Sequence, residues 1–216
     1  MRHVAIFDLD GTLIDSAPAI TRALNVLRDA HGLSALDAVQ VRRWISLGAA
    51  SLIGRALGLA GDADTHTIAA FRTHYAEQPS SSDDVYPGIT LALRVLHGAG
   101  VAMAVCTNKP QTLSERVLTQ SGLSDYFQAV LGGDTVQCCK PDPAHVIDTL
   151  VAMGCEGSAF DFIGDSHVDA AAAKASGGRF LWASWRYADT APLAPPERTL
   201  SHPSDIPDAV LAGTRA

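Results

Sequence analysis

Val4-Ala5-Ile6-Phe7-Asp8-Leu9-Asp10-Gly11-Thr12 is the stretch on which the fold turns. Four apolar residues in succession, without polar alternation, suit a strand buried on both faces, as in a parallel sheet packed between helices. The run ends at carboxylates and a glycine. A central parallel strand reads this way at its C-terminal end, where open α/β sheets hold their sites. On an extended backbone, residues two apart point to the same side, so Asp8 and Asp10 are expected together. Two carboxylates held close repel unless a cation lies between them or one keeps a proton. Gly11 lets the chain turn, and Thr12 offers a hydroxyl.

The same unit recurs further along the chain. Residues 101–106 run into Thr107-Asn108-Lys109-Pro110, 129–131 into Gly132-Gly133-Asp134, and 160–163 into Gly164-Asp165-Ser166; residues 179–183 are the expected last strand. Helical patterns at 89–97, 113–120, 144–153 and 168–176 separate them, each closed by a nearby glycine: Gly98, Gly122, Gly154 and Gly177. Strands alternating with helices at this spacing predict an α/β fold, a Rossmann-like doubly wound parallel sheet.

One segment, residues 16–84, breaks the alternation and shows only helical patterns. Ser16 can cap a helix with Pro18 in its early turn and Ile20, Leu24 and Leu27 on one face. Trp44-Ile45 ends a second helix; Leu52, Ile53, Ala56 and Leu57 mark a third; Ile68, Phe71 and Tyr75 mark a fourth. Pro79-Ser80-Ser81-Ser82-Asp83-Asp84 reads as a linker. The expected organisation is therefore a core of residues 1–15 and 85–216 with an inserted helical cap, 16–84. Two crossings beside a site suit a hinged lid. The Pro-rich tail, 190–207, is expected to be irregular, with a short helix around 209–211.

Composition removes other classes. With 47% hydrophobic and 18% charged residues, the 216-residue chain is globular and long enough to fold on its own core. Sixteen Lys+Arg against 23 Asp+Glu give a formal charge of −7, which argues against nucleic-acid binding through a basic surface. No apolar run reaches the roughly 20 residues that span a bilayer. The N-terminus meets Asp8 too soon for a signal peptide. Cys106, Cys138, Cys139 and Cys155 form no C-x-x-C. A cytoplasmic location with reduced thiols and no membrane partner is expected. No G-x-G-x-x-G follows a strand, against a dinucleotide-binding enzyme.

The whole string from Phe7 to Ser16 resembles the first motif of the haloacid dehalogenase superfamily of phosphotransferases. Thr107 stands where the second motif has Thr or Ser, Lys140-Pro141 resembles the third, and Gly164-Asp165-Ser166 with Asp169 resembles the fourth. The resemblance implies Asp8 as the nucleophile that becomes an aspartyl-phosphate and also a Mg²⁺ ligand. Asp10 would give its carbonyl oxygen to the metal, while its side chain protonates the leaving alkoxide and then deprotonates water. Asp165 would complete the protein ligands, and Asp169 would act from outside them or pair with Lys140. Thr107 and the Asn108 backbone would bind phosphoryl oxygens, and Lys140 would neutralise the charge that builds during transfer.

Within that superfamily, Asp10 points away from dehalogenases, whose halide leaving group needs no proton. The chain's three lysines, Lys109, Lys140 and Lys174, all lie outside residues 16–84, which excludes a cap Schiff base; Ile20 stands where sugar phosphomutases carry His. Ser16-Ala17-Pro18, Trp44-Ile45-x-x-Gly48, Leu52-x-x-Arg55-Ala56-Leu57, Thr107-Asn108-Lys109-Pro110 and Gly132-Gly133-Asp134-x-Val136-Gln137 resemble the phosphoglycolate phosphatase branch. That implies 2-phosphoglycolate as substrate, with Arg55 or Arg43 facing its carboxylate. Ser46, Leu47, His167-Val168 and Arg186-Tyr187-Ala188 depart from the branch pattern, so a broader phosphatase for sugar phosphates or other small organic phosphates stays open. A receiver-like signalling module, phosphorylated on Asp, would be shorter and lack the insertion. The partner implied is a small phosphorylated metabolite; monomer and homodimer both stay open, as does the choice among Mg²⁺, Mn²⁺ and Co²⁺.

The neighbouring residues carry plainer expectations. Lys109 is expected to be structural or at the rim, and Asp15 to cap the first inserted helix together with Ser16. Asp134 is either a helix cap or loop residue, or it lines the site. Cys138-Cys139 fill an exposed loop, and Cys106, next to Thr107, exposes the site to thiol reagents. Asp161 is expected to face out of an otherwise buried strand or to lie on a free edge.

Overall fold

The computed structural model describes residues 3–45, 48–185 and 196–213. They form two compact units: residues 3–14, 81–185 and 196–213 in one, residues 15–45 and 48–80 in the other. The chain enters the first unit through β1 (Val4–Phe7), leaves it after Ile14 and returns at Ser81.

The second unit is wholly helical: α1 (Ala17–Ala30), α2 (Ala38–Ile45), α3 (Ala49–Leu57) and α4 (Thr65–Ala76). Ile20, Leu24 and Leu27 form the buried stripe of α1, which packs against the other three. Asp15 caps α1 by accepting from the Ala17 N–H (3.3 Å), and its other oxygen accepts from Arg42 Nη2 (2.6 Å). Ser16 makes no side-chain capping bond, so the expected shared cap rests on Asp15. Ser46, Leu47 and 186–188 lie outside the described residues.

The first unit is a six-stranded parallel sheet. After β1 come α5 (Ile89–Gly98), β2 (Ala102–Thr107), α6 (Gln111–Gln120), β3 (Ala129–Gly132), α7 (Pro143–Ala152), β4 (Phe160–Gly164), α8 (His167–Ala175), β5 (Arg179–Ala183), β6 (Arg198–Leu200) and α9 (Ile206–Gly213). The strand order is β3-β2-β1-β4-β5-β6. Alternate residues of β1 serve opposite faces. Val4 and Ile6 pack with Val146 and Leu150 of α7 and Ala172 and Ala173 of α8. Ala5 and Phe7 pack with Leu93 and Leu96 of α5, Val117 of α6 and Val210 of α9. Both faces are dry, which is why the strand reads as an unbroken apolar run.

Three expectations are corrected here. The last strand is β6, which extends the sheet parallel to β5 from within the supposedly irregular tail. Three residues, of which only Leu200 is buried, are too short to carry a period. The second correction concerns Asp161, which is fully buried. Its neighbour across the sheet is Arg179, whose Nε and Nη2 donate to its two oxygens (2.6 and 2.8 Å), and His3 Nε2 donates at 2.8 Å. Third, the linker reading of 79–84 gives way in part to a 3-10 turn, Ser82–Asp84. Ser81 and Asp84 cap it reciprocally, and it belongs with the sheet. Val85 then bridges Ile14, and the Tyr86 N–H donates to the Leu13 carbonyl (3.1 Å).

Candidate active site

Asp8 is the first residue past β1, and its N–H extends the ladder by donating to the Ile163 carbonyl (2.9 Å). Phe7 pairs with Val105 of β2 on one side and Ile163 of β4 on the other. The loops that leave β2 and β4 therefore flank Asp8. Asp8, Asp165 and Asp169 are all buried, and each offers a carboxylate oxygen within 4.8 Å of the others.

Lys140, from the β3–α7 loop, ties this cluster together. Its ammonium donates to Asp8 Oδ1 (2.8 Å), Asp169 Oδ1 (2.7 Å) and the Cys106 carbonyl (2.7 Å), which uses all three N–H bonds. The other oxygen of Asp169 accepts from Ser166 N–H (3.0 Å) and Oγ (2.6 Å), the reciprocal cap that starts α8. Gly164 must lack a side chain, since a Cβ would lie 2.7 Å from the Asp169 carboxylate. Asn108 clamps the Lys140 backbone, donating from Nδ2 to its carbonyl (2.8 Å) and accepting from its N–H at Oδ1 (3.0 Å). Thr107 ends β2, is buried, and accepts at Oγ1 from the Lys109 N–H (3.3 Å).

Lys109, expected to be structural or at the rim, is buried: its ammonium donates to both oxygens of Asp10, at 2.8 and 3.1 Å. No local signal could find the pair, because its members are 99 residues apart in the chain. Asp134 proves to be a loop cap, accepting from the Gln111 N–H at the start of α6 (2.7 Å). Cys138 and Cys139 are exposed, as expected of loop filler. Cys106 is fully buried, and burial pushes its thiol up to about 12, so the expected sensitivity to thiol reagents is not supported there. Arg55 and Arg43 are exposed, on α3 and α2 of the helical unit.

The electrostatics follow from burial. Burial raises the Asp8 carboxyl from 3.8 to about 7; Lys140 opposes the rise and Asp169 adds to it. Burial also works against the Lys140 ammonium, but Asp169 and Asp8 outweigh it and hold the group above its ordinary range. His145 on α7 is pulled down to about 4, by burial first and Lys140 second, and is neutral at pH 7. Its Nε2–H donates to the Leu131 carbonyl (3.2 Å), and Nδ1 has no hydrogen-bond partner among the described residues.

Four carboxylates, Asp8, Asp10, Asp165 and Asp169, meet two ammonium groups, Lys140 and Lys109. Their formal charges leave two net negative charges, which one divalent cation balances. The donors are oxygens only, the preference of a hard ion such as Mg²⁺. The residues therefore fit the metal that the sequence resemblance implies.

Comparison with known proteins assigns the class. Residues 5–183 match the family model of haloacid dehalogenase-like hydrolases, and the chain belongs to that family. It is 41% identical over 196 residues to phosphoglycolate phosphatase of Rhodospirillum rubrum, covering 87% of this chain and 81% of that protein. It is 38% identical over 210 residues to phosphoglycolate phosphatase of Cereibacter sphaeroides, covering 94% and 95%. Among solved structures, a predicted phosphoglycolate phosphatase from Haemophilus somnus 129PT shares the fold at a TM-score of 0.79, with 24% identity and 95% and 96% coverage. CbbY from Rhodobacter sphaeroides, solved in complex with phosphate, shares it at 0.75, with 23% identity and the same coverage.

Proposed function

We propose that this hydrolase is a Mg²⁺-dependent phosphatase that cleaves a small phosphate monoester, 2-phosphoglycolate, to glycolate and phosphate. The observation that carries the reading is the pairing of two differently held carboxylates: Asp8, buried against Lys140, and Asp10 two residues on. A nucleophile and a separate proton carrier are what an alkoxide leaving group requires and a halide does not. The names of the relatives that align over most of both chains support the choice of substrate.

The chemistry has two steps. An Asp8 oxygen attacks phosphorus, the P–O bond to the substrate breaks, and Asp10 gives its proton to the leaving oxygen. Asp10 then takes a proton from a water that attacks the Asp8 phosphoryl group, freeing phosphate and regenerating the carboxylate. Thr107 and the Asn108 backbone bind phosphoryl oxygens, and Lys140 balances the charge on Asp8 and the phosphoryl group as it moves. Asp8, Asp165 and the Asp10 carbonyl would hold Mg²⁺, whose charge offsets the repulsion between a carboxylate and a phosphate dianion. Asp169 acts from outside that set, bound to Lys140 and to Ser166. The helical unit acts as the cap that selects substrate, with Arg55 as the partner of the substrate carboxylate.

A substrate panel tests this. The purified protein should hydrolyse 2-phosphoglycolate in Mg²⁺ and lose that activity in EDTA and in Asp8→Asn. Activity that survives either change sinks the mechanism. Arg55→Ala should raise KM for 2-phosphoglycolate about tenfold, from the loss of one charge-assisted hydrogen bond, with little effect on p-nitrophenyl phosphate. A sugar phosphate that exceeds 2-phosphoglycolate in kcat/KM would move the assignment to a broader phosphatase of the same class.

A further inference from the structure

We propose that Lys109 is the positioning residue for Asp10, holding that carboxylate in the orientation from which it exchanges protons with the leaving oxygen and with water. The inference deepens the phosphatase reading and rests on Asp10 being the proton carrier. Its basis is the geometry of the pair. Nζ of Lys109 lies 2.8 Å from one Asp10 oxygen and 3.1 Å from the other, so a single ammonium spans the carboxylate. The lysine side chain is 5% exposed and that of the aspartate 17%, so water cannot substitute for the contact on the lysine side.

The lysine emerges from a turn that is itself fixed. Its N–H donates to Thr107 Oγ1 (3.3 Å), and its carbonyl accepts from the Gly133 N–H (3.0 Å) and from Ser114 Oγ (3.4 Å). The β3 end presses against this turn: a Cβ on Gly132 would fall 2.9 Å from the Lys109 carbonyl oxygen, and one on Gly133 would fall 2.7 Å from that of Asn108. A buried ion pair contributes little to stability against an apolar replacement, because desolvation offsets attraction. A pair built on a clamped turn and aimed at the Asp10 carboxylate is instead suited to setting a direction. It also divides the work of the two buried lysines: Lys140 serves Asp8 and Asp169, and Lys109 serves Asp10.

The test is a double-mutant cycle with two substrates. Lys109→Met, Lys109→Arg, Asp10→Asn and Lys109→Met/Asp10→Asn are assayed in Mg²⁺, after thermal melts confirm a cooperative transition. Lys109→Met should lower kcat on 2-phosphoglycolate about 10- to 100-fold, part of the roughly 10²–10⁴ that acid–base catalysis supplies, with KM within about threefold. Lys109→Arg should restore much of the loss. With p-nitrophenyl phosphate, whose leaving group needs no proton, the first-turnover burst should persist in Lys109→Met while steady turnover slows. The double variant should be no slower than Asp10→Asn, because Lys109 acts through Asp10. Near-normal kcat in Lys109→Met beside a slow Asp10→Asn overturns the proposal and leaves the phosphatase reading standing. Losses that multiply in the double variant, or a lost burst, overturn it too. Normal turnover by Asp10→Asn would overturn both. If Lys109→Met melts without cooperativity, Lys109→Arg and Lys109→Arg/Asp10→Asn decide: an unchanged KM with a reduced kcat, and a double variant no slower than Asp10→Asn, supports the proposal, and losses that multiply oppose it.

Discussion

Asp8 carries its charge where burial disfavours charge. Its carboxyl rises to about 7, and the one ammonium that touches it among the described residues is shared with Asp169. A metal-free molecule near neutrality is thus divided between protonated and ionised Asp8, whereas a bound cation requires the ionised form. Mg²⁺ binding at pH 7 should release about half a proton per ion, read by calorimetry in buffers of different ionisation heat. Apparent affinity should rise from pH 6 to pH 8, and Asp8→Asn should abolish the proton release. The stability consequence has a definite sign. The folded value lies above the ordinary 3.8, so without metal the folded state binds this proton more tightly than the unfolded chain. The contribution is present at low pH and is lost as pH rises from 3.8 to about 7. Metal-free protein should melt lower at pH 8 than at pH 6, with a weaker trend in Asp8→Asn. An equal trend in both would assign the titration to another group.

At the scale of elements, the two ends of the sheet do different work. The C-terminal ends of β1, β2 and β4 lead to the cluster, while the opposite end is closed by the ion pairs around Asp161. Arg179 is 43% exposed and Asp161 fully buried, so losing one is not equivalent to losing the other. Arg179→Ala leaves a buried carboxylate with His3 alone and should cost about 3 kcal/mol. Asp161→Asn leaves an arginine that water can reach and should cost less. Urea unfolding with Mg²⁺ present measures both, and kcat should be unchanged in each; a reversed order refutes the account. These elements also show what a sequence can carry. A strand such as Val4–Phe7 announces itself, because burial on both faces is written into consecutive residues. Polar residues at strand ends do likewise, since Asp8, Thr107 and Asp165 each sit where an apolar run breaks, whereas Lys140, eight residues past β3, is legible only through the family resemblance. Features that depend on what lies opposite stay hidden. Asp161 reads as an outward residue until β5 supplies Arg179, and Lys109 reads as structural or at the rim with no partner named until Asp10 meets it. Only Leu200 of β6 faces inward, so its partner strand, and not its own pattern, makes it a strand.

Across the whole molecule, the formal charge of −7 does not describe what a phosphate ester would meet. Two of the three lysines are withdrawn from the surface into the carboxylate cluster, where Lys140 and Lys109 offset part of its negative charge. The chain that leaves the sheet unit after Ile14 comes back to the same place: Val85 bridges Ile14, and Tyr86 bonds to Leu13. The doorway is sealed by the sheet unit's own backbone, whatever residues lie between its posts. To that unit residues 15–80 are a cassette, and closing a loop of any length there changes the entropy only logarithmically. Exchanging the cassette for that of another family member should keep the Mg²⁺ affinity of the host while substrate preference follows the donor. A chimera whose preference stays with the host would show that selectivity is written in the sheet unit instead. Such a doorway would let the block between its posts be grafted as a unit while the carboxylate cluster of the sheet unit stays in place.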